Sequence, residues 1–123
     1  MTLYDKYGHF KVNLVAHQLY ADVVTDRRLA PFFRDVSIPM LVEHQAIFLA
    51  TILGGPDKYT SEDIRRAHAD RGIGPDDFEI LIDYLKARLT DNDFEPADVD
   101  DIIATYRTFQ GFVTGEERRS GDG

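Results

Sequence analysis

The sequence predicts an all-α fold, and three observations carry the prediction. Every strongly patterned stretch places its apolar residues at spacings of three and four, the helical period. No stretch alternates apolar and polar residues for long enough to make a strand. Glycine and proline punctuate the chain between these stretches, at Gly54-Gly55-Pro56, Gly72, Gly74-Pro75 and Pro96, where helices stop and start.

In chain order, residues 10–24 bring Val12, Val15, Ala16, Leu19, Tyr20 and Val23 onto one stripe. A short segment over 27–33 ends in Phe32-Phe33. Residues 39–53 form a helix with Leu41, Phe48, Leu49 and Ile52 on its apolar face. It closes at Gly54-Gly55-Pro56, where glycine supplies a left-handed stop and proline forbids continuation. Thr60, with Asp63 three residues on, is a near relative of a capping box and starts a short helix over 61–68. Gly74-Pro75-Asp76-Asp77 opens the next helix, with proline in its first turn and two acids at the positive end of the dipole. Its stripe is Phe78, Leu81, Ile82, Leu85 and Leu89. Glu95-Pro96 begins a last helix, with Val99, Ile102, Ile103, Tyr106, Phe109 and Val113 inward. The polar stretch EERRSGDG at 116–123 reads as a frayed tail, which leaves one domain over residues 1–115.

A chain of 123 residues with 43% apolar and 29% charged residues has the size and composition of one soluble globular domain. Its formal charge of −8, from 22 acids against 14 bases, argues against nucleic acid and against an acidic membrane surface. The absence of cysteine excludes disulfides, thiolate catalysis, zinc–thiolate sites and iron–sulfur clusters, so histidine or carboxylate must carry any metal chemistry. No apolar run approaches the roughly 20 residues of a spanning helix. The opening MTLYDKYGHF lacks the basic and then apolar regions of a signal peptide. The expectation is a cytoplasmic protein with no membrane attachment.

There are four histidines. His9 has no assigned role, and His17 lies off the main stripe of its helix, towards solvent. His68 shares a face with Ile64 and Ala67, and His44 lies with Gln45 among Leu41 and Phe48, where leucine or valine would serve a core better. Taken singly, each histidine reads as a core imidazole bonded to a backbone carbonyl. Taken together, two imidazoles, the Gln45 amide and the Tyr20 phenol leave many polar groups to satisfy in one small core. A zinc site is a second reading, though HExxH, cysteines and clustered carboxylate ligands are all missing. A third is a large flat apolar cofactor with a metal at its centre, such as haem. That group needs a neutral imidazole on one face and hydrogen-bond donors on the other. The residue pattern alone leaves all three open.

The run Leu3-Tyr4-Asp5-Lys6, Leu19-Tyr20, Leu29-Ala30-Pro31-Phe32-Phe33, His44-Gln45-Ala46-Ile47-Phe48-Leu49, Leu53-Gly54-Gly55-Pro56, Tyr59 and Arg66-Ala67-His68 resembles a truncated haemoglobin of the group-I class. The likeness runs in register from about residue 3 to residue 113, with a one-residue gap near residue 9. It is nearest to cyanobacterial and algal members that carry a distal histidine before the distal glutamine. The resemblance implies a two-over-two helical sandwich built from 10–24, 39–53, 75–90 and 96–113, with the 54–74 connection carrying the proximal ligand.

Residue by residue, the resemblance makes His68 the proximal iron ligand and Tyr20 and Gln45 the distal donors, with Leu41 at the distal position. Phe33 lies against the porphyrin. Phe48, Leu49 and Tyr59 line the pocket, as do Ile73, Phe78, Leu81 and Leu85. Arg71 can approach a propionate. His44 is the candidate sixth ligand, giving bis-histidyl coordination when no exogenous ligand is bound; the alternative is that it turns to solvent or a propionate. Gly8-His9 stands where the family has a glycine pair, so one helix-ending glycine is lost. Some relatives attach haem through a histidine on the last helix. No histidine follows His68 here, so non-covalent haem b is expected.

The function implied is reversible binding of O2, NO or CO, for storage, sensing or scavenging. The alternative is an enzyme that converts NO to nitrate with bound O2, or a weak peroxidase. The chain has no flavin or nicotinamide domain, so turnover would need a separate, unidentified reductase. A monomer or weak dimer is expected. A helical interaction module without cofactor is the remaining possibility.

Overall fold

The computed structural model describes residues 2–55 and 72–111, and these form only helices and turns. Helix α1 covers Leu3–Tyr7, α2 His9–Thr25, α3 Ile38–Ile52, α4 Pro75–Asp91 and α5 Pro96–Arg107, with a short 3-10 helix at Ala30–Phe33 between α2 and α3. The expected helix over 61–68, Val113 and the tail at 116–123 lie outside the described residues.

The four longer helices form two packed pairs: α2 lies on α3, α4 on α5, and across the pairs α2 meets α4 and α3 meets α5. This is the two-over-two sandwich expected. The stripes meet in one core, made of Val12, Val15, Leu19 and Val23 from α2, Phe48 and Leu49 from α3, Phe78, Ile82, Leu85 and Leu89 from α4, and Val99, Ile102 and Tyr106 from α5. Each large apolar side chain removed from water contributes about 1.5–3 kcal/mol before chain entropy is charged against it.

The helix boundaries follow local chemistry. Gly54, at φ +81°, ends α3 in the left-handed region. The Gly74 backbone N–H donates to Asp77 Oδ2 at 3.0 Å and caps α4. Two boundaries depart from expectation. Helix α3 starts one residue early because the Ser37 hydroxyl accepts from the Met40 N–H at its N-terminus. Helix α5, expected to run on to 113, is interrupted after Arg107 by a turn at Thr108 and Phe109. There the Thr108 N–H and hydroxyl both turn back to the Thr105 carbonyl, tightening the last turn at the expense of the α-helical ladder.

Helix α1 is an addition that periodicity did not reveal. Thr2 and Asp5 form a capping box around its first turn. The helix then bridges two distant ends. The Tyr4 N–H donates to the Leu53 carbonyl, where α3 finishes, at 2.9 Å. At its other end, Lys6 Nζ reaches Asp98 at 2.6 Å and Glu95 at 3.0 Å. The Tyr7 hydroxyl donates to Asp98 at 2.5 Å, and its ring stacks on Phe94 at 3.8 Å. Elsewhere Arg88 of α4 grips Asp22 of α2 with two hydrogen bonds, of 2.6 and 2.7 Å, and Arg107 pairs with Glu79.

Candidate functional site

Helix α3 decides the site, because its 3.6-residue period turns positions 41, 45, 48, 49 and 52 to one side. Leu41, Phe48 and Leu49 are buried there, as an apolar stripe should be. Gln45 is buried among them, 6% exposed. Its amide has no hydrogen-bond partner among those residues. A primary amide offers two donors and an acceptor with two lone pairs, and a buried polar group left unsatisfied costs about 1–3 kcal/mol. Among the described residues nothing recovers that cost, since the side chains one turn away are Leu41, Phe48 and Leu49.

His44 is half-buried beside it. Its ring meets Phe48 edge-on, with centroids 5.8 Å apart and planes at 82°. Phe48 in turn lies flat on Tyr106 of α5 at 4.9 Å and meets Phe109 edge-on at 5.8 Å. The α3 face therefore joins an imidazole, an amide and an aromatic cluster within two helical turns.

Tyr20 is placed differently. It is half-buried on α2 and lines a cavity of about 570 Å³ between α2 and α3, together with Tyr4, His9, His17 and Glu43. The Tyr20 hydroxyl, like the Gln45 amide, has no partner among the described residues, and the two are not hydrogen-bonded to each other. His17 is exposed on that seam, as its register predicts. His9, given no role by the sequence, pairs its Nδ1 with the Tyr4 hydroxyl at 2.7 Å.

The remaining candidates are apolar walls. Phe78 and Leu85 of α4 are fully buried, Ile73 is buried just ahead of that helix, and Leu81 and Phe33 are half-buried against the core. Tyr59, His68 and Arg71 lie outside the described residues.

Tyr106 is the residue that sequence reasoning passed over. Periodicity placed it inward, and a tyrosine at an inward position was the available signal that a hydroxyl would be buried there.

Among the described residues no group of three or more histidines or carboxylates gathers to hold a bare metal ion. What α3 presents instead is hydrocarbon broken by the His44 imidazole and by an amide with no partner among the described residues. That fits a flat apolar group whose own ligand needs a hydrogen-bond donor, and it suits haem better than a zinc ion.

Comparison with known proteins agrees. The bacterial-like globin family model matches residues 2–114. A group 1 truncated haemoglobin of Synechocystis is 34% identical over 93 residues, covering 72% of this chain and 75% of the relative. One from Mycolicibacterium paratuberculosis is 32% identical over 90 residues, covering 72% of this chain and 66% of the relative, just under two thirds of its length. Among solved structures, the Fe(III) truncated haemoglobin of Tetrahymena pyriformis superposes with a TM-score of 0.82 at 23% identity, over 92% of this chain and 97% of that one. The cyanomet 2/2 haemoglobin of Synechococcus, with covalently attached haem, gives a TM-score of 0.83 at 22% identity, over 94% and 99%. At those identities the structural likeness is one of fold.

Proposed function

The chain belongs to the bacterial-like globin family, as a truncated haemoglobin with haem as its cofactor, and on that premise we propose that it binds O2, and by the same site NO and CO, reversibly. The observation that carries the reading is the buried amide of Gln45, without a hydrogen-bond partner among the described residues, beside Leu41, Phe48 and Leu49 on α3. Haem, when bound, supplies the iron at which a diatomic ligand is held. The chain supplies everything else. His68 is the proximal ligand. The Gln45 N–H and the Tyr20 O–H would donate hydrogen bonds to a diatomic ligand that carries partial negative charge. A hydrogen bond to a charged acceptor contributes about 1.5–3 kcal/mol, ten- to hundredfold in affinity. Leu41, Phe48, Leu49, Phe78 and Leu85 keep water out, with Phe33, Tyr59, Ile73 and Leu81 completing the wall and Arg71 at a propionate. With no histidine beyond residue 68 to form a link from the last helix, the haem is held without a covalent bond.

His44 would hold the iron together with His68 when no gas is present. Its half-buried place beside Gln45 and Phe48 supports this assignment. A ferric spectrum tests it: low-spin is expected, His44→Ala converts it to high-spin, and a high-spin spectrum from the unaltered protein overturns the assignment.

Absorbance spectra of the ferric, ferrous and CO-bound forms test the reading as a whole. Colourless protein after expression with ample haem sinks it. Consumption of NO to nitrate would use the same donors and a separate reductase; rapid mixing with NO, and re-reduction by cell extract, test that activity. The same reading takes residues 1–115 as the globin domain of a cytoplasmic monomer or weak dimer, which sedimentation and fractionation test.

A further inference from the structure

Tyr106 carries a second buried polar group that finds no hydrogen-bond partner among the described residues. It sits on α5, 3% exposed, and its hydroxyl has no hydrogen-bond partner among the described residues. Burial alone pushes its phenol well above the ordinary tyrosine range, so at neutral pH the hydroxyl is protonated and uncharged. Phenylalanine would fill the same space without burying a lone hydroxyl.

The rings around it say where the phenol lies. It rests flat on Phe48 of α3, with planes 3° from parallel, and tilts against Phe78 of α4 at 5.7 Å. Both are residues assigned above to the haem pocket. On its own helix, Phe48 is one turn from Gln45 and carries the His44 ring on its edge. Two polar groups without partners among the described residues thus neighbour Phe48, the Gln45 amide one turn back on its helix and the Tyr106 phenol by ring stacking.

We propose that the Tyr106 hydroxyl is a further hydrogen-bond donor of the haem pocket, acting beside Gln45 on the bound diatomic ligand. The inference rests on the globin reading given above. A neutral O–H buried in apolar surroundings suits this role: it donates to a ligand carrying partial negative charge, and it cannot ionise and repel that ligand. The stacked Phe48 ring holds it in place.

The test compares the haem-loaded protein with its Tyr106→Phe variant, and both with their apoproteins. Loss of the hydroxyl should speed O2 dissociation about tenfold, the factor for one donor to a charged acceptor. It should also raise the C–O stretching frequency of the CO-bound form. In the apoprotein the urea midpoint should not fall, because phenylalanine keeps the ring and no protein partner is lost. An O2 dissociation rate within twofold of the parent, with an unmoved C–O stretch, overturns the proposal; a buried water satisfying the hydroxyl gives that result. A lower urea midpoint for the apo variant also overturns it, by showing that the hydroxyl has a partner within the protein. If neither protein takes up haem at all, the globin reading fails and this inference with it. Pigmented proteins with identical ligand behaviour sink only the role of Tyr106.

Discussion

The Tyr4 ring lies over Gly55 so closely that a Cβ on the glycine would stand 2.7 Å from Tyr4 Cδ2 and 2.9 Å from Cγ. The same Cβ would meet the Ala50 carbonyl oxygen at 3.1 Å. The tyrosine is tied on both sides, by its N–H to Leu53 and by its hydroxyl to His9. Helix α1 is thereby seated where α3 ends. Gly55→Ala must displace the ring or the turn, and overpacking of this kind costs about 1–3 kcal/mol. A lower urea midpoint is expected, and removing the ring first, with Tyr4→Ala, should abolish the extra penalty. An unchanged midpoint in the single variant would show that the contact yields freely.

Gln45→Leu should move stability and ligand retention in opposite directions. The apoprotein gains about 1–3 kcal/mol by losing an unsatisfied buried amide. The haem-loaded protein loses the donor, and O2 dissociates ten- to hundredfold faster. Urea unfolding and stopped-flow dissociation read the two effects separately. A variant less stable as apoprotein would mean that the amide has a protein partner after all.

Phe48 touches both sides of the site, so truncating it should be severe. Phe48→Ala removes a ring that is 1% exposed and leaves a cavity against Tyr106, at a cost of about 3–5 kcal/mol. Faster haem loss to an excess of a competing apoglobin should accompany the lower stability. A loss under 1 kcal/mol would place Phe48 outside the working core.

Acid should release α1 before the core unfolds. Lys6, and after it Tyr7, hold the Asp98 carboxyl below its ordinary range. A carboxylate whose folded pKa is depressed contributes stability that is fully present above its unfolded value, about 3.9, and is lost as pH falls through the lower folded value. The unfolding midpoint should therefore drop below about pH 4, and Asp98→Asn should flatten that limb while lowering stability at neutral pH. An acid limb identical in parent and variant would remove Asp98 from the account.

His68→Gly should abolish stable haem uptake, because no other proximal imidazole is assigned. Pigment content after expression measures it, and a fully coloured variant would move the proximal role to another residue.

Much of this protein is legible in its sequence. Four long helices and their buried faces follow from a 3.6-residue apolar period, since each stripe has only one way to leave water. Helix α1 was not legible: it is five residues long, shorter than the pattern that would announce it, and it is held by contacts to Leu53 and Asp98 far along the chain. The end of α5 turned on one threonine hydroxyl bonding back to its own helix, a choice that apolar spacing does not encode.

For the site, the sequence by itself determined that Gln45 and His44 share a face with Leu41 and Phe48, because helical geometry makes that relation local. Only tertiary structure decided what those side chains meet. It left the Gln45 amide without a partner among the described residues, set Tyr20 on the seam between α2 and α3, and laid Tyr106 on Phe48 from a helix more than fifty residues away. The reason is physical: a residue's register is a property of its own helix, whereas whether a buried hydroxyl or amide is satisfied depends on atoms that packing brings from elsewhere in the chain.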